Sequence, residues 1–316
     1  MSQTPRPRIL AVGLHPAIDR TIELPELRRR SVLRGRLLRV EAGGKTTNIV
    51  HTLSNFGHHV SATGFIGRGE ADFFLRTFDP ARVKAEFVLA DSPTRENVTL
   101  LESRTGRDIH ILAGELSVRR NDAAQLGRIV KRLAEKADWA IFSGSRPKGM
   151  PLSDYLALLR VCRERGGRLV VDASGSMLRT ALKARPWLIK PNRDELAELV
   201  GRKLRTDCDI LRAATSLRKK CENILVSLGR GGAILISSAG TWHAREARPP
   251  KSAISVGCGD ALLAGFVSAC ADGADLREAL RFGTACGSAC ARTDYACLSS
   301  RRQPESLLPG IRICAL

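Results

Sequence analysis

The chain has 316 residues, 43% hydrophobic and 26% charged, which is ordinary globular usage and enough length for one large domain or two smaller ones. No low-complexity tract, solenoid-period repeat or apolar run near the ~18 residues of a membrane span is present, so fibrous, disordered and membrane-spanning classes are excluded. A formal net charge of +19 favours anionic partners: nucleic acid, an acidic membrane surface or phosphorylated small molecules.

Met1 to Arg8 is short, polar and Pro-containing, and the apolar stretch Ile9 to Leu14 is too short for a signal peptide; it predicts a first strand and a cytosolic protein. Residues 20 to 40 and 95 to 113 mix Thr, Val, Leu and Ile with charges, the pattern of a small antiparallel sheet. Between them, Ile49 to Phe56 reads as a helix. Asp122 to Glu135 has helical periodicity and precedes the apolar run Trp139 to Phe142 and Ser143-Gly144-Ser145. Leu152 to Arg165 is a further amphipathic helix, closed by Gly166-Gly167 before the β-branched run Leu169 to Val171. Asp207 to Lys220 is helical, and Ile224 to Ser227 and Ala233 to Ser237 are strands around a Gly-rich turn. Short apolar strands alternating with helices imply βαβ units and a mainly parallel sheet. Ligands bind beyond the carboxyl ends of such strands, where Ser143, Asp172, Lys190 and Ser227 fall.

The basic charge is spread out. Arg supplies 40 of the 51 basic residues, a bias that genomic base composition also produces. The densest stretch, Arg28-Arg29-Arg30 with Arg34, Arg36 and Arg39, has no aromatics interleaved for base stacking, so a solvated basic surface is favoured over a nucleic-acid groove. The nine cysteines are irregularly spaced, with Cys162, Cys270, Cys286 and Cys290 on helical stretches. Cys286-x3-Cys290 lacks a matching pair at zinc spacing, so reduced structural thiols are expected.

Three segments carry chemistry. In Ser255-Val256-Gly257-Cys258-Gly259-Asp260, two glycines flank a small residue before an apolar helix. Consecutive backbone N–H groups and the helix N-terminus would stabilise an anion there, with Asp260 placed to accept a proton; an Asp N-cap after a tight turn fits the same letters. Gly44-Lys45-Thr46 mimics the end of a phosphate-binding loop, but Arg39 stands where that motif needs Gly, so a P-loop is rejected. A Gly turn with a cation and an amide remains, suited to phosphate or sugar hydroxyls, or simply to helix entry. In Lys190-Pro191-Asn192-Arg193-Asp194-Glu195, Asn192 and Glu195 are three apart and would face one hydrated Mg²⁺, or else form a capping box.

Taken in this order, these segments resemble the ribokinase-like (PfkB) carbohydrate kinases, most closely the branch of 1-phosphofructokinases, tagatose-6-phosphate kinases and the minor 6-phosphofructokinase. Gly13-Leu14-His15-Pro16-Ala17-Ile18-Asp19-Arg20-Thr21, Thr94-Arg95-Glu96-Asn97-Val98, Ser143-Gly144-Ser145-Arg146-Pro147, Asp172-Ala173-Ser174-Gly175 and Val226-Ser227-Leu228-Gly229 add to it, over about Ile9 to Ser300. The resemblance implies an α/β, ribokinase-like three-layer sandwich with a mostly parallel central sheet. It implies one kinase domain over 1–316, with a small β-sheet lid from about 13–40 and 95–115. It implies ATP-dependent phosphorylation of a hexose phosphate, first fructose 1-phosphate to fructose 1,6-bisphosphate. Asp260 would be the base, and the amides of Gly257, Cys258 and Gly259 would stabilise the phosphoryl group in transit. Asp19 would hold sugar hydroxyls, and Gly43, Gly44, Lys45, Asn48, Arg95, Asn97 and Ser145 would cradle the sugar and its phosphate. Lys190, Asn192, Ser227 and Gly229 would contact ATP, with Glu195 organising Mg²⁺ through water.

Lids of this kind pair into dimers in some relatives, so a homodimer through the lid is an expectation; membrane and nucleic acid are not expected partners. A sibling sugar or nucleoside kinase, or a non-catalytic sugar-phosphate or nucleic-acid-binding relative, is the alternative. Three residues depart from the family pattern. Thr46 stands for the usual Gly and is expected to intrude on the substrate, His15 stands for Asn, and Cys258 stands for the small Ala of the anion hole.

Overall fold

Ile9 and Ala11 pack into one apolar cluster while Leu10 and Val12 pack into another, so the strand they form is covered on both faces. Burial on both faces produces short unbroken apolar runs, the signature of a parallel sheet between helical layers. The computed structural model describes residues 7–27, 32–249 and 256–316; Met1 to Arg6, the arginine run 28–30 and Ser255 lie outside the described residues.

In chain order the elements begin with β1 (Ile9–Gly13), β2 (Ala17–Leu24), β3 (Arg36–Gly43), α1 (Lys45–Asn55), β4 (Val60–Gly67), α2 (Ala71–Arg76), β5 (Val83–Ala90), β6 (Arg95–Glu102) and β7 (Asp108–Ala113). They continue with α3 (Arg120–Ala134), β8 (Trp139–Ser143), α4 (Leu152–Glu164), β9 (Arg168–Asp172), α5 (Gly175–Ala181), β10 (Leu188–Ile189), α6 (Arg193–Val200) and α7 (Asp207–Leu217). The last are β11 (Asn223–Ser227), β12 (Ala233–Ile236), β13 (Thr241–Glu246), α8 (Cys258–Ala271), α9 (Leu276–Cys290), α10 (Arg302–Leu307) and β14 (Ile311–Ala315).

Ten strands form the central sheet in the order β14-β13-β12-β11-β10-β9-β8-β1-β4-β5. The run from β5 to β11 is parallel, and β12, β13 and β14 extend it antiparallel. One face packs on α3, α4, α5, α6 and α7 through residues such as Leu126, Tyr155, Leu178, Leu196 and Ile210. The other packs on α1, α8 and α9 through Ile49, Leu263, Phe266 and Leu280. This is the expected three-layer α/β architecture. Ser143, Asp172 and Ser227 end their strands and Lys190 follows β10, as the sequence indicates.

A second sheet, in the order β3-β2-β6-β7, is joined to the first by a small apolar cluster of Ile18, Ala42, Ile66 and Phe74. It corrects one expectation. β2 pairs with β3 antiparallel, but with β6 parallel over Ala17 to Leu24. The reason is topological: β2 and β6 both leave the carboxyl side of the central sheet, after β1 and β5 respectively, so they run in the same direction.

α8 and α9 approach closely. A Cβ on Gly265 would collide with Cys286 Sγ and lie 2.8 Å from Cys286 Cβ. Gly265→Ala gains up to about 1 kcal/mol of helix propensity but overpacks the interface by about 1–3 kcal/mol. Net destabilisation is expected in urea unfolding, with Cys286→Gly recovering part of it in the double variant. Additive effects of the two changes would show that this contact does not set the helix spacing.

Candidate active site

A cavity of about 500 Å³ lies beyond the carboxyl ends of the parallel strands, between the two sheets. The central sheet contributes Gly13, Ser143 and Ser227, with Lys190 just past β10, and the small sheet contributes Asp19, Arg95, Asn97 and Leu112. α1 and α8 both begin at this cavity. Neither has a side-chain cap, and first-turn N–H groups have no acceptor within a helix, so both ends offer partial positive charge to an anion. The turn before α8 requires Gly257: its φ of 79° is left-handed, and a Cβ there would collide with the backbone of Ala296.

Charge converges at the floor of the cavity. Asp172, fully buried, accepts from Lys45 Nζ at 3.1 Å and faces Lys190 Nζ at 3.3 Å, with Ser143 Oγ at 3.4 Å. Burial pushes the Asp172 pKa up, but Lys190 and Lys45 outweigh it and hold the carboxyl below its ordinary value. Burial likewise opposes the charge on Lys45, yet Asp172, Asp260 and Glu195 together raise its pKa to about 12. Lys190 Nζ also lies 3.3 Å from where a Cβ on Gly259 would sit, so the cation reaches the α8 turn.

Asp260, in the first turn of α8, is 6% exposed and accepts from Asn48 Nδ2 at 2.8 Å through Oδ2. Its pKa is raised to about 7, first by burial and then by the charge of Asp172, against the opposing pull of Asn48, Lys45 and Lys190. Two neighbouring carboxyls are thus driven apart, Asp172 beneath the cavity held ionised and Asp260 in its wall poised near neutrality, which is how environment separates a structural anion from a candidate base.

On the other wall Asn97 Nδ2 donates to Asp19 Oδ1 at 2.7 Å, and Arg95 donates to Asn97 Oδ1 at 2.7 Å. Arg95 also donates to the His15 carbonyl at 3.3 and 3.4 Å. Burial raises the Asp19 pKa, with Asn97 and Arg95 opposing. The Leu116 N–H donates to His15 Nε2, leaving the proton on Nδ1 to donate to Ser145 Oγ at 2.9 Å. Burial, then Arg95, lowers the His15 pKa to about 4, so the ring is neutral.

The sequence of the pfkB family, described as carbohydrate kinases, matches residues 7–302. The chain belongs to this family. A 1-phosphofructokinase of Vibrio cholerae is 31% identical over 98% of this chain and 97% of its own length. One from Rhodobacter capsulatus is 34% identical over 88% of each chain. Escherichia coli phosphofructokinase-2, solved in complex with fructose-6-phosphate, superposes with a TM-score of 0.86 at 26% identity, covering 96% of this chain and 98% of that one.

In this pfkB kinase the structure brings Asp19, Gly44, Lys45, Asn48, Arg95, Asn97, Ser145, Lys190, Asn192, Glu195, Ser227, Gly257, Gly259 and Asp260 to one cavity. Three expected residues do not line it. Gly43 ends β3 behind the Asp19 carboxylate, Gly229 opens a 3₁₀ turn, and Cys258 packs against the apolar cluster shared by α8 and α9. Lys45 is drawn to the Asp172 end rather than towards Arg95. Asn192 and Glu195 line the cavity and also form the capping box, each committing one oxygen to it at 2.8 Å.

Thr46 has a structural partner that its letter does not reveal. Its hydroxyl donates to the carbonyls of Ser143 (2.9 Å) and Val12 (3.3 Å), so the side chain braces the strand ends while still lining the cavity at 8% exposure. The structure adds Asp172 and His15, to which the sequence assigned no role, to the groups that hold this cavity together. Asp172 was visible only as a carboxylate ending a β-branched run and as the first residue of Asp172-Ala173-Ser174-Gly175. Removing its charge leaves Lys45 and Lys190 facing each other, so Asp172→Asn should lose about 3 kcal/mol in denaturant unfolding at pH 7. Unchanged stability would show that the lysines do not depend on it.

Proposed function

We propose that this chain is an ATP-dependent hexose-phosphate kinase, phosphorylating a hydroxymethyl group of fructose 1-phosphate to give fructose 1,6-bisphosphate. The observation that carries this reading is Asp260: a buried carboxyl with a pKa near 7, held by Asn48 at an uncapped helix N-terminus beside two lysines. Asp260 takes the proton of the attacking hydroxyl, and Asn48 is a positioning residue that fixes the accepting carboxylate. The amides of Gly257, Cys258 and Gly259, with the charges of Lys190 and Lys45, stabilise the phosphoryl oxygens in transit.

Asp19 binds sugar hydroxyls, while Arg95, Asn97, Ser145 and the Gly43-Gly44 turn hold the far end of the sugar and its existing phosphate. Lys190, Asn192, Ser227 and Gly229 bind ATP along the β10–β11 edge. Among the described residues no group of three or more His, Cys, Asp or Glu side chains could hold a metal ion. With Asp172 committed to two lysines and Asp260 near neutrality, the donor set fits a hydrated Mg²⁺ carried by the nucleotide phosphates and touched by Glu195 through water. Mg²⁺ there would offset phosphate charge.

The small sheet acts as a lid over the cavity, excluding water and so suppressing ATP hydrolysis. Its edge strands leave Leu37, Ile109, Ile111 and Leu112 exposed, which supports a homodimer formed through the lid. Among the described residues no helix is long and apolar enough to cross a membrane, which is compatible with the cytosolic location we propose for this single kinase domain.

ADP release measured across fructose 1-phosphate, fructose 6-phosphate and tagatose 6-phosphate should show turnover, highest on the first. Asp260→Asn should lower kcat by about 10²–10⁴-fold. Absence of turnover on all three, or full turnover by Asp260→Asn, would overturn the reading. Because Asp260 must be ionised to accept a proton, log(kcat/KM) should fall with decreasing pH below about 7, by about one decade per unit. A profile flat down to pH 5 would show that its pKa in the free enzyme is not raised.

A further inference from the structure

Cys258 is the first residue of α8 and Cys290 the last of α9. Cys290 Sγ lies 3.9 Å from the Val256 carbonyl, two residues before Cys258, and a Cβ on Gly287 in the last turn of α9 would lie 3.3 Å from the Cys258 carbonyl, so both cysteines sit where the ends of α8 and α9 pack, beside the turn that is proposed to receive the phosphoryl group. Of the other cysteines, Cys162, Cys221, Cys270 and Cys286 are buried, Cys208 and Cys314 are exposed, and Cys297 is partly exposed. Cys258 is partly exposed, whereas Cys290 is 1% exposed. We propose that Cys258 is a peroxide-reactive thiol and Cys290 its resolving partner, so that a reversible Cys258–Cys290 disulfide switches the site off. The consequence for catalysis rests on the kinase reading above; the disulfide itself does not.

Reaction at this pair needs a thiolate that an oxidant can reach and a second thiol close behind it. The neighbouring Cys290 thiol favours the Cys258 thiolate, outweighing burial and the nearby Asp260, and holds its pKa below the ordinary value. The same contact, followed by burial, pushes Cys290 well up, so the two thiols have unequal roles. An uncapped helix N-terminus favours the thiolate further. In the first step Cys258 sulfur attacks a hydroperoxide oxygen: an S–O bond forms, the O–O bond breaks, and the leaving oxygen departs as hydroxide and takes up a proton. In the second, Cys290 sulfur attacks the sulfenic sulfur: an S–S bond forms, the S–O bond breaks, and water leaves with the Cys290 proton. Two thiols are oxidised by two electrons, and one hydrogen peroxide is reduced to two waters.

The bond shortens a thiol–thiol contact to about 2.05 Å, which pulls Cys258 towards α9. Gly257 cannot follow without strain, since its left-handed turn is packed against Ala296. The amides of Cys258 and Gly259 are therefore turned away from the phosphoryl position. The α8–α9 interface, too close at Gly265 for a side chain, leaves the helices little freedom to absorb the shift.

The test treats the full chain with hydrogen peroxide and follows peptides by mass spectrometry alongside ADP release. A Cys258–Cys290 cross-linked peptide is expected, together with an activity loss of about 10²-fold or more, the scale set by losing one donor to a transition-state anion. Dithiothreitol should restore the activity. Cys290→Ala is expected to keep its basal rate in the reduced state and to form no cross-link; peroxide should then inactivate it without recovery in dithiothreitol, as Cys258 is oxidised beyond the sulfenic acid. If both thiols stay reduced while exposed Cys208 and Cys314 react, the proposal is overturned. It is also overturned if the cross-link forms without loss of activity, or if Cys258→Ala loses the same fraction of its own rate to peroxide. Should the chain turn over no sugar phosphate at all, the kinase reading fails, while the cross-linked peptide still reports on the thiol pair.

Discussion

Asp172 has no exposed surface, yet it sits between two lysines whose nitrogens lie 3.1 and 3.3 Å away. A buried carboxylate is costly unless paired, and two clustered cations repel unless something anionic lies between them. Each side therefore makes the other tolerable. Lys45 comes from the first turn of α1 and Lys190 from the loop after β10, so this one group ties three separate parts of the chain to the carboxyl edge of the sheet. The remainder of the site is arranged around that fixed charge.

Its influence on Asp260 is the main electrostatic consequence. Asp172 keeps its negative charge and thereby makes a second one nearby expensive, while burial acts in the same direction. The lysines and Asn48 act against both and stop the pKa near neutrality. The fold supplies the rest through geometry. Two uncapped helix ends and the small sheet enclose a cavity in which a proton acceptor, cations and backbone N–H groups face one volume. The site of this pfkB kinase is thus shaped by burial and charge placement, with Cys258 in the turn proposed to receive the phosphoryl group.

Much of the architecture was legible in the sequence because double-sided burial leaves a strong trace. Trp139 to Phe142 and Leu169 to Val171 are short apolar runs, and they form β8 and β9. The strand character of 20–40 and 95–113 was also visible, but pairing direction was not: alternation reveals a strand without revealing its neighbour, so the parallel β2–β6 pair escaped. Most of the expected site residues reach one cavity because they follow strand ends or begin helices, positions that can be read locally. Asp172 was harder, since its meaning comes from Lys45, 127 positions away in the chain. Thr46 shows the complementary difficulty. Its letter departs from the family pattern, and only the structure reveals the hydroxyl turned back onto the carbonyls of Val12 and Ser143.

The most direct measurement is the unfolding free energy of wild type and Asp260→Asn as a function of pH, which requires no substrate. A folded-state pKa of about 7 against 3.8 as the ordinary value means that the native wild type holds a proton the unfolded chain has released between these limits. The stability contributed by the protonated carboxyl is complete below about pH 4 and is lost as pH rises through about 7. The Asp260→Asn protein should therefore gain stability relative to wild type across that window and hold a constant advantage above it. A difference that does not change between pH 4 and 8 would contradict a carboxyl poised at neutrality by burial and by Asp172.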